Sequence, residues 1–133
     1  MKTKKDLKIF IVDDEPYWIE LLSELLADLH YSNVHSFESG EECMRNLRLN
    51  PDIVFLDYQM KDSDGIATLN AIREYHSDIF VIFTTATEDI SVAVNAIKGG
   101  SFDFLLKLNV TKAHVNEILN KIQKSSLRSG RIF

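Results

Sequence analysis

The sequence predicts an α/β fold, with a five-stranded parallel sheet doubly wound by helices into a (βα)5 three-layer sandwich. Three observations predict it. Five short runs rich in Val, Ile, Leu and Phe stand along the chain, the segments between them carry apolar residues at helical spacing, and no hairpin turn joins one run to the next. Strict alternation of strand and helix requires crossover connections, and right-handed crossovers build a parallel sheet with helices on both faces.

The expected strands are LKIFIV (7–12), NVHSF (33–37), DIVFLD (52–57), DIFVIFTT (78–85) and FDFLLK (102–107). Three of them are almost continuously apolar, as strands covered on both faces are. The first helix is expected over Pro16 to Leu29, where Ile19, Leu22, Leu26 and Leu29 recur at steps of three and four and Pro16 suits a first turn that lacks N–H partners anyway. Residues 39–48 open on Ser39 as an N-cap, 64–75 align Ile66, Leu69 and Ile72, and 88–98 repeat Ile90, Ala93, Val94 and Ile97. In that fourth helix Val92 and Ala96 fall off the main apolar stripe and leave a mildly hydrophobic patch near Phe104. The last helix starts at Thr111, lines up Val115, Ile118, Leu119 and Ile122 and ends at Lys124; SSLRSGRIF (125–133) is expected to be a tail or the start of a linker.

Composition bounds the function. At 133 residues and 45% apolar content, the chain suits one domain with one core. Its 15 basic against 20 acidic residues leave a net charge of -5, which excludes a general basic field for nucleic acid or an anionic membrane. The apolar run after the N-terminal lysines is too short for an export signal and ends in acids, and no stretch approaches the ~20 residues of a membrane span. The single Cys43 cannot form an internal disulfide, so a reducing, cytoplasmic setting is expected. The four histidines show no paired metal-ligand spacing and read as structural or surface residues.

In sheets of this kind ligands bind beyond the carboxyl ends of the strands. Here the first strand ends in Asp13 and Asp14, the third in Asp57, the fourth in Thr84 and Thr85, and the fifth in Lys107. Three carboxylates, a hydroxyl and an ammonium are therefore expected on one edge. Clustered carboxylates repel unless a cation joins them, which implies a hard divalent metal, most simply Mg²⁺. Metal, ammonium and hydroxyl around an aspartate suit phosphoryl transfer to that aspartate.

With the acidic pair in IVDDE, Asp57 in VFLDYQM, Gly65 in DSDG, Thr85-Ala86 after an apolar strand, and Phe104 and Lys107 in FDFLLK, the chain resembles the receiver domain of two-component response regulators from about Leu7 to Lys124. The resemblance implies a flavodoxin-like fold over residues 1–124. It implies Asp57 as phosphoacceptor, Asp14 and the Gln59 backbone carbonyl as Mg²⁺ ligands, Asp13 holding the metal through water, and Lys107 on the phosphoryl oxygens. Thr85 becomes the switch hydroxyl and Phe104 the aromatic that follows it inward. Gln59 and Thr87 occupy the two positions that tune acyl-phosphate lifetime in the family. The implied donor is a histidine kinase or histidine phosphotransfer protein docking near the helix that carries Tyr17 and Trp18, aromatics that by position also suit a cap on the core. The implied readout is the surface of helix 4, strand 5 and helix 5, which contacts an output domain, an effector or a second copy. Such a domain is not a conventional enzyme: it catalyses only its own phosphorylation and dephosphorylation.

The chain departs from the family pattern where receivers carry proline after the lysine; here Leu108 follows, so the Lys107–Leu108 bond is expected to be trans, with an altered loop. Other readings of the same residues are a receiver that has lost phosphorylation and serves as an interaction module, a haloacid dehalogenase-type phosphohydrolase, and a flavin-binding flavodoxin relative. Gln59 stands where the phosphohydrolase needs its second, proton-transferring aspartate. Asp13, Asp14 and Glu15 repel the phosphate that the flavin reading needs in the first loop. Glu15 itself has no assigned role, because the inferred site needs only two acids at that turn.

Overall fold

In the computed structural model, the residues described are 2–61, 63–87 and 89–128. The strands are β1 (Ile9–Val12), β2 (Val34–Phe37), β3 (Ile53–Asp57), β4 (Phe80–Thr85) and β5 (Asp103–Leu106). They alternate with α1 (Pro16–Asp28), α2 (Gly40–Arg45), α3 (Gly65–Tyr75), α4 (Ile90–Lys98) and α5 (Lys112–Arg128). The five strands form one parallel sheet in the order β2-β1-β3-β4-β5. A two-residue antiparallel pairing of Gln59–Met60 with Ser63–Asp64 folds the β3–α3 connection back on itself.

Every residue of β1, β3 and β4 is buried, which is why these runs read as continuously apolar. The edge strands β2 and β5 are partly open, and so are more mixed in sequence. One core layer, with Ile11, Phe55, Ile82 and Leu105 of the sheet, packs against Trp18, Leu22 and Leu26 of α1 and Val115, Ile118 and Ile122 of α5. The opposite layer packs Phe10, Val54, Leu56 and Phe83 against Cys43 of α2, Leu69 and Ile72 of α3 and Ala96 of α4.

The helix ends form as their side chains dictate. Ser39 accepts a hydrogen bond from the Glu42 N–H at 3.1 Å, and Thr111 accepts one from the His114 N–H at 3.1 Å. Asp64 and Asp89 cap α3 and α4 in the same way. Leu47–Leu49 finish the second helical segment as a single 3₁₀ turn, closed by Asn50 in the left-handed region at φ 57°.

Three expectations change. The last helix does not end at Lys124 but runs to Arg128 with Ser126 buried, so the first part of the expected tail is helical; residues 129–133 lie outside the described residues. In α4 the apolar face is turned the other way: Ala96 is fully buried, whereas Val94 and Ile97 are 43% and 48% exposed. Ser91, Asn95 and Lys98 share one face of α4, but the apolar arc opposite is broad, so which edge of it meets the sheet is left to packing. Glu88, the expected start of that helix, and the side chains of Ile90 and Ala93 lie outside the described ones. Finally, of the two aromatics opening α1 only Trp18 enters the core; Tyr17 is 78% exposed.

Candidate phosphoryl-acceptor site

The chain enters the sheet at β1, one strand in from the edge, turns outward to the edge strand β2, then crosses back past β1 to β3. The strand order therefore reverses between β1 and β3, whose adjacent carboxyl ends carry Asp13 and Asp57. A cleft of about 360 Å³ opens there, lined by Glu15, Asp57, Gln59, Thr85, Ala86, Thr87 and Lys107.

Asp13 is fully buried and Asp57 is 4% exposed. The Asp13 Oδ1 accepts a hydrogen bond from the Glu15 N–H at 2.9 Å, and the Asp57 Oδ1 accepts one from the Gln59 N–H at 3.3 Å. Lys107, anchored by its N–H to the Thr85 carbonyl at 2.8 Å, brings its ammonium 2.7 Å from Asp13, 3.4 Å from Glu15 and 3.6 Å from Asp57. Asp14 sits higher on the rim, where its Oδ2 accepts a hydrogen bond from the Lys61 N–H at 3.0 Å.

The electrostatics follow from burial. Loss of water, with the Asp13 charge alongside, pushes the Asp57 carboxyl up to about 7. Burial also raises Asp13, although the hydrogen bond from Lys107 pulls the other way. Burial alone would lower the Lys107 ammonium, but the hydrogen bond to Asp13 and the charges of Asp57, Asp13 and Glu15 carry it above its ordinary value. One ammonium thus faces several carboxylates, and the site is short of positive charge.

That shortage is a test of whether a metal fits, and it does. Carboxylate oxygens of Asp13, Asp14, Glu15 and Asp57 lie within 4.8 Å of one another, an all-oxygen set of the kind hard divalent cations prefer. Among the described residues no histidine joins this cluster.

Thr84 and Thr85 point to opposite faces, as successive strand residues do. Thr85 lies on the cleft and its Oγ1 accepts a hydrogen bond from the Thr87 N–H at 3.2 Å. Phe104 pairs with Phe83, two residues before Thr85, so it stands on the Thr85 face of the sheet, half-buried against that core layer. No cis peptide bond occurs among the described residues, so Lys107–Leu108 is trans as expected, and the following turn passes through Asn109 at φ 59°.

Gly65 explains the geometry beneath Asp57. A Cβ there would lie 2.8 Å from the carbonyl oxygens of both Asp57 and Tyr58 and 2.9 Å from the Phe83 ring. Gly65→Ala is expected to push the Asp57–Tyr58 turn outward at a cost of about 2 kcal/mol. A lowered urea midpoint together with slower modification of Asp57 would show it; an unchanged midpoint would mean the loop yields freely.

Of the residues expected from sequence at the strand ends, Asp13, Asp14, Asp57, Thr85 and Lys107 are brought together, with Gln59 on the cleft wall and Phe104 on the adjoining strand, whereas Thr84 faces the other way. Sequence reasoning left out two neighbours of the ammonium. Glu15 was visible only as a third acid at the turn. Trp18, whose ring centroid is 5.6 Å from the Lys107 Nζ, gave no signal beyond being an aromatic at the start of a helix.

The model of the response regulator receiver domain family matches residues 9–123. The chain belongs to that family. This receiver domain is 35% identical over 106 residues to the transcriptional regulatory protein ZraR of Escherichia coli K12, covering 79% of this chain and 24% of ZraR, so it spans about a quarter of that relative. It is 28% identical over 118 residues to the chemotaxis protein CheY of Thermotoga maritima, covering 88% of this chain and 98% of that protein. Among solved structures, the CheX–CheY–BeF3–Mg²⁺ complex from Borrelia burgdorferi superposes with a TM-score of 0.79 at 25% identity, covering 87% of this receiver domain and 88% of that chain. Receiver domains act as phosphorylation-dependent switches of two-component systems, are generally Mg²⁺-dependent and interact with histidine kinases and output domains. None of the described helices is long and apolar enough to cross a membrane.

Proposed function

We propose that this receiver domain accepts a phosphoryl group on Asp57 from a histidine kinase or histidine phosphotransfer protein. The observation that carries the reading is the Asp57 carboxylate, open to a cleft, with the Lys107 ammonium 3.6 Å away and an excess of buried negative charge around it. An Asp57 oxygen attacks phosphorus in line, the bond from phosphorus to the donor's imidazole nitrogen breaks, and the imidazole leaves with that electron pair. Lys107 shifts from carboxylate partners to the incoming phosphoryl oxygens.

Asp14, Asp57 and the Gln59 carbonyl would hold Mg²⁺, with Asp13 acting through water. Such a metal would supply the positive charge that the carboxylates and the phosphoryl oxygens call for. The CheY complex with Mg²⁺ from Borrelia burgdorferi supports a metal on a similar fold.

Thr85 then exchanges its contact with the Thr87 N–H for donation to a phosphoryl oxygen, and Phe104, on the same face of the sheet, follows it inward. The surface of α4, β5 and α5 changes as a result and is read by an output domain, an effector or a second copy of the domain.

Acetyl phosphate, in place of the protein donor, tests the central step, because acetate leaves as imidazole does. With Mg²⁺ present, intact mass should increase by one phosphoryl group, and Asp57→Asn should show no increase. Equal labelling of Asp57→Asn would overturn the assignment.

A further inference from the structure

Lys107 is the one catalytic group of the site carried on a long, flexible stem, and the residue after it does nothing to restrain it: Leu108 is 58% exposed. Its ammonium is nevertheless held within a narrow space. Two of its close partners, Asp13 and Asp57, are the acids whose charge a metal and a phosphoryl group would compete for. Glu15 is 61% exposed at its side chain and offers a weak, screened contact. The remaining neighbour is neutral: the Trp18 ring, with its centroid 5.6 Å from the Nζ.

That distance is within the range at which a cation is drawn to an aromatic face, and both groups are shielded from water, Trp18 at 3% exposure and the Lys107 side chain at 10%. Trp18 cannot easily move. It is built into the core layer formed by Ile11, Phe55, Ile82 and Leu105.

Packing alone does not account for tryptophan here. Its indole Nε1 is buried with no hydrogen-bond partner among the described residues, a cost that phenylalanine or leucine would avoid. What tryptophan offers in return is the strongest cation-attracting face among the side chains.

We propose that Trp18 is a positioning residue for phosphoryl transfer: its indole face holds the Lys107 ammonium beside Asp57 while the carboxylates are engaged by metal and phosphoryl group. This role rests on the acceptor function proposed above. A neutral ring suits it, because its attraction for the ammonium does not vanish when the charges of Asp13 and Asp57 are neutralised.

Trp18 is the only tryptophan, so growth on mono-, di- or trifluorotryptophan places the analogue at one position. Fluorination drains the ring face with little change of shape. The rate of Asp57 labelling by acetyl phosphate and Mg²⁺ is expected to fall progressively, by roughly tenfold across the series, with the urea midpoint little changed. Trp18→Phe should retain more of the rate than Trp18→Leu. A flat rate across the fluorinated series would overturn the proposal and leave Trp18 a packing residue. Without any phosphodonor, the ε-methylene protons of Lys107 should show an upfield ring-current shift that is lost in Trp18→Leu; its absence would overturn the contact itself. If the unsubstituted protein is not labelled at all, the acceptor function fails and this role with it, while the ring-current shift still reports separately on the contact.

Discussion

Without metal at pH 8, Asp57→Asn should be more stable than the unsubstituted domain by about 2 kcal/mol. Asp57 is buried and its carboxyl is pushed up to about 7, by loss of water first and by the Asp13 charge second. Above that pH the folded protein carries an ionised group where a neutral one is favoured, worth up to roughly 4 kcal/mol for such a shift and reduced by water at the mouth of the cleft. Asparagine keeps the acceptor for the Gln59 N–H and removes the charge.

The sign follows from proton binding. Between about pH 4 and 7 the folded state holds a proton on Asp57 that the unfolded chain has lost, so this group's contribution to stability falls as pH rises through that window. The advantage of Asp57→Asn should therefore grow from near zero at pH 4 to its full size above pH 7. Mg²⁺ at a hundredfold excess over its dissociation constant should stabilise the unsubstituted protein by about 2.7 kcal/mol and close the gap. Paired urea unfolding curves across pH, with Mg²⁺ or with a chelator, measure both effects. A difference that does not change with pH would show that Asp57 is not strained in the folded state.

Lys107→Ala should act in the opposite direction and more broadly. It strips the ammonium from the buried Asp13 and Asp57 pair, and removing one partner of a buried ion pair costs about 3 kcal/mol because the other is left uncompensated. That loss should shrink as pH falls towards 5, where the stranded carboxyls take up protons, and should shrink again when Mg²⁺ supplies a cation. The labelling rate should fall by roughly two to three orders of magnitude and stay low with Mg²⁺, since a metal replaces the charge but not the donor aimed at the phosphoryl oxygens. Combining it with Asp57→Asn should cost less stability than the single change, as expected for groups in direct contact. A destabilisation independent of both pH and Mg²⁺ would assign Lys107 to packing instead.

The two substitutions together describe a site that is uncomfortable by construction. Carboxylates are buried beside one another at a cost in stability, and the proposed cation and phosphoryl group would bind where charge is already out of balance.

Much of this was legible in the sequence because each element is locally consistent. The runs IFIV, IVFLD and FVIFTT are apolar at every position because both faces of β1, β3 and β4 are covered. Asp13, Asp57, Thr85 and Lys107 stand out because each breaks or follows such a run, and in a parallel sheet the ends of the strands converge on one edge. Ser39 and Thr111 marked helix starts because their hydroxyls replace N–H partners the helix cannot supply.

Tertiary structure alone decided the rest. The apolar arc of α4 is too broad to fix which of its edges meets the sheet, and packing turned Ala96 inward and left Val94 and Ile97 exposed. Glu15 and Trp18 lie far from Lys107 along the chain, and nothing in their local spacing indicates that they share its ammonium. The sequence by itself determined which groups reach the active edge, since strand polarity and burial are local properties. How far apart those groups lie, which acid takes the ammonium most closely and which ring supports it were set only when β1, α1 and β5 packed together, because charge and cation–ring contacts depend on distances that no single segment contains.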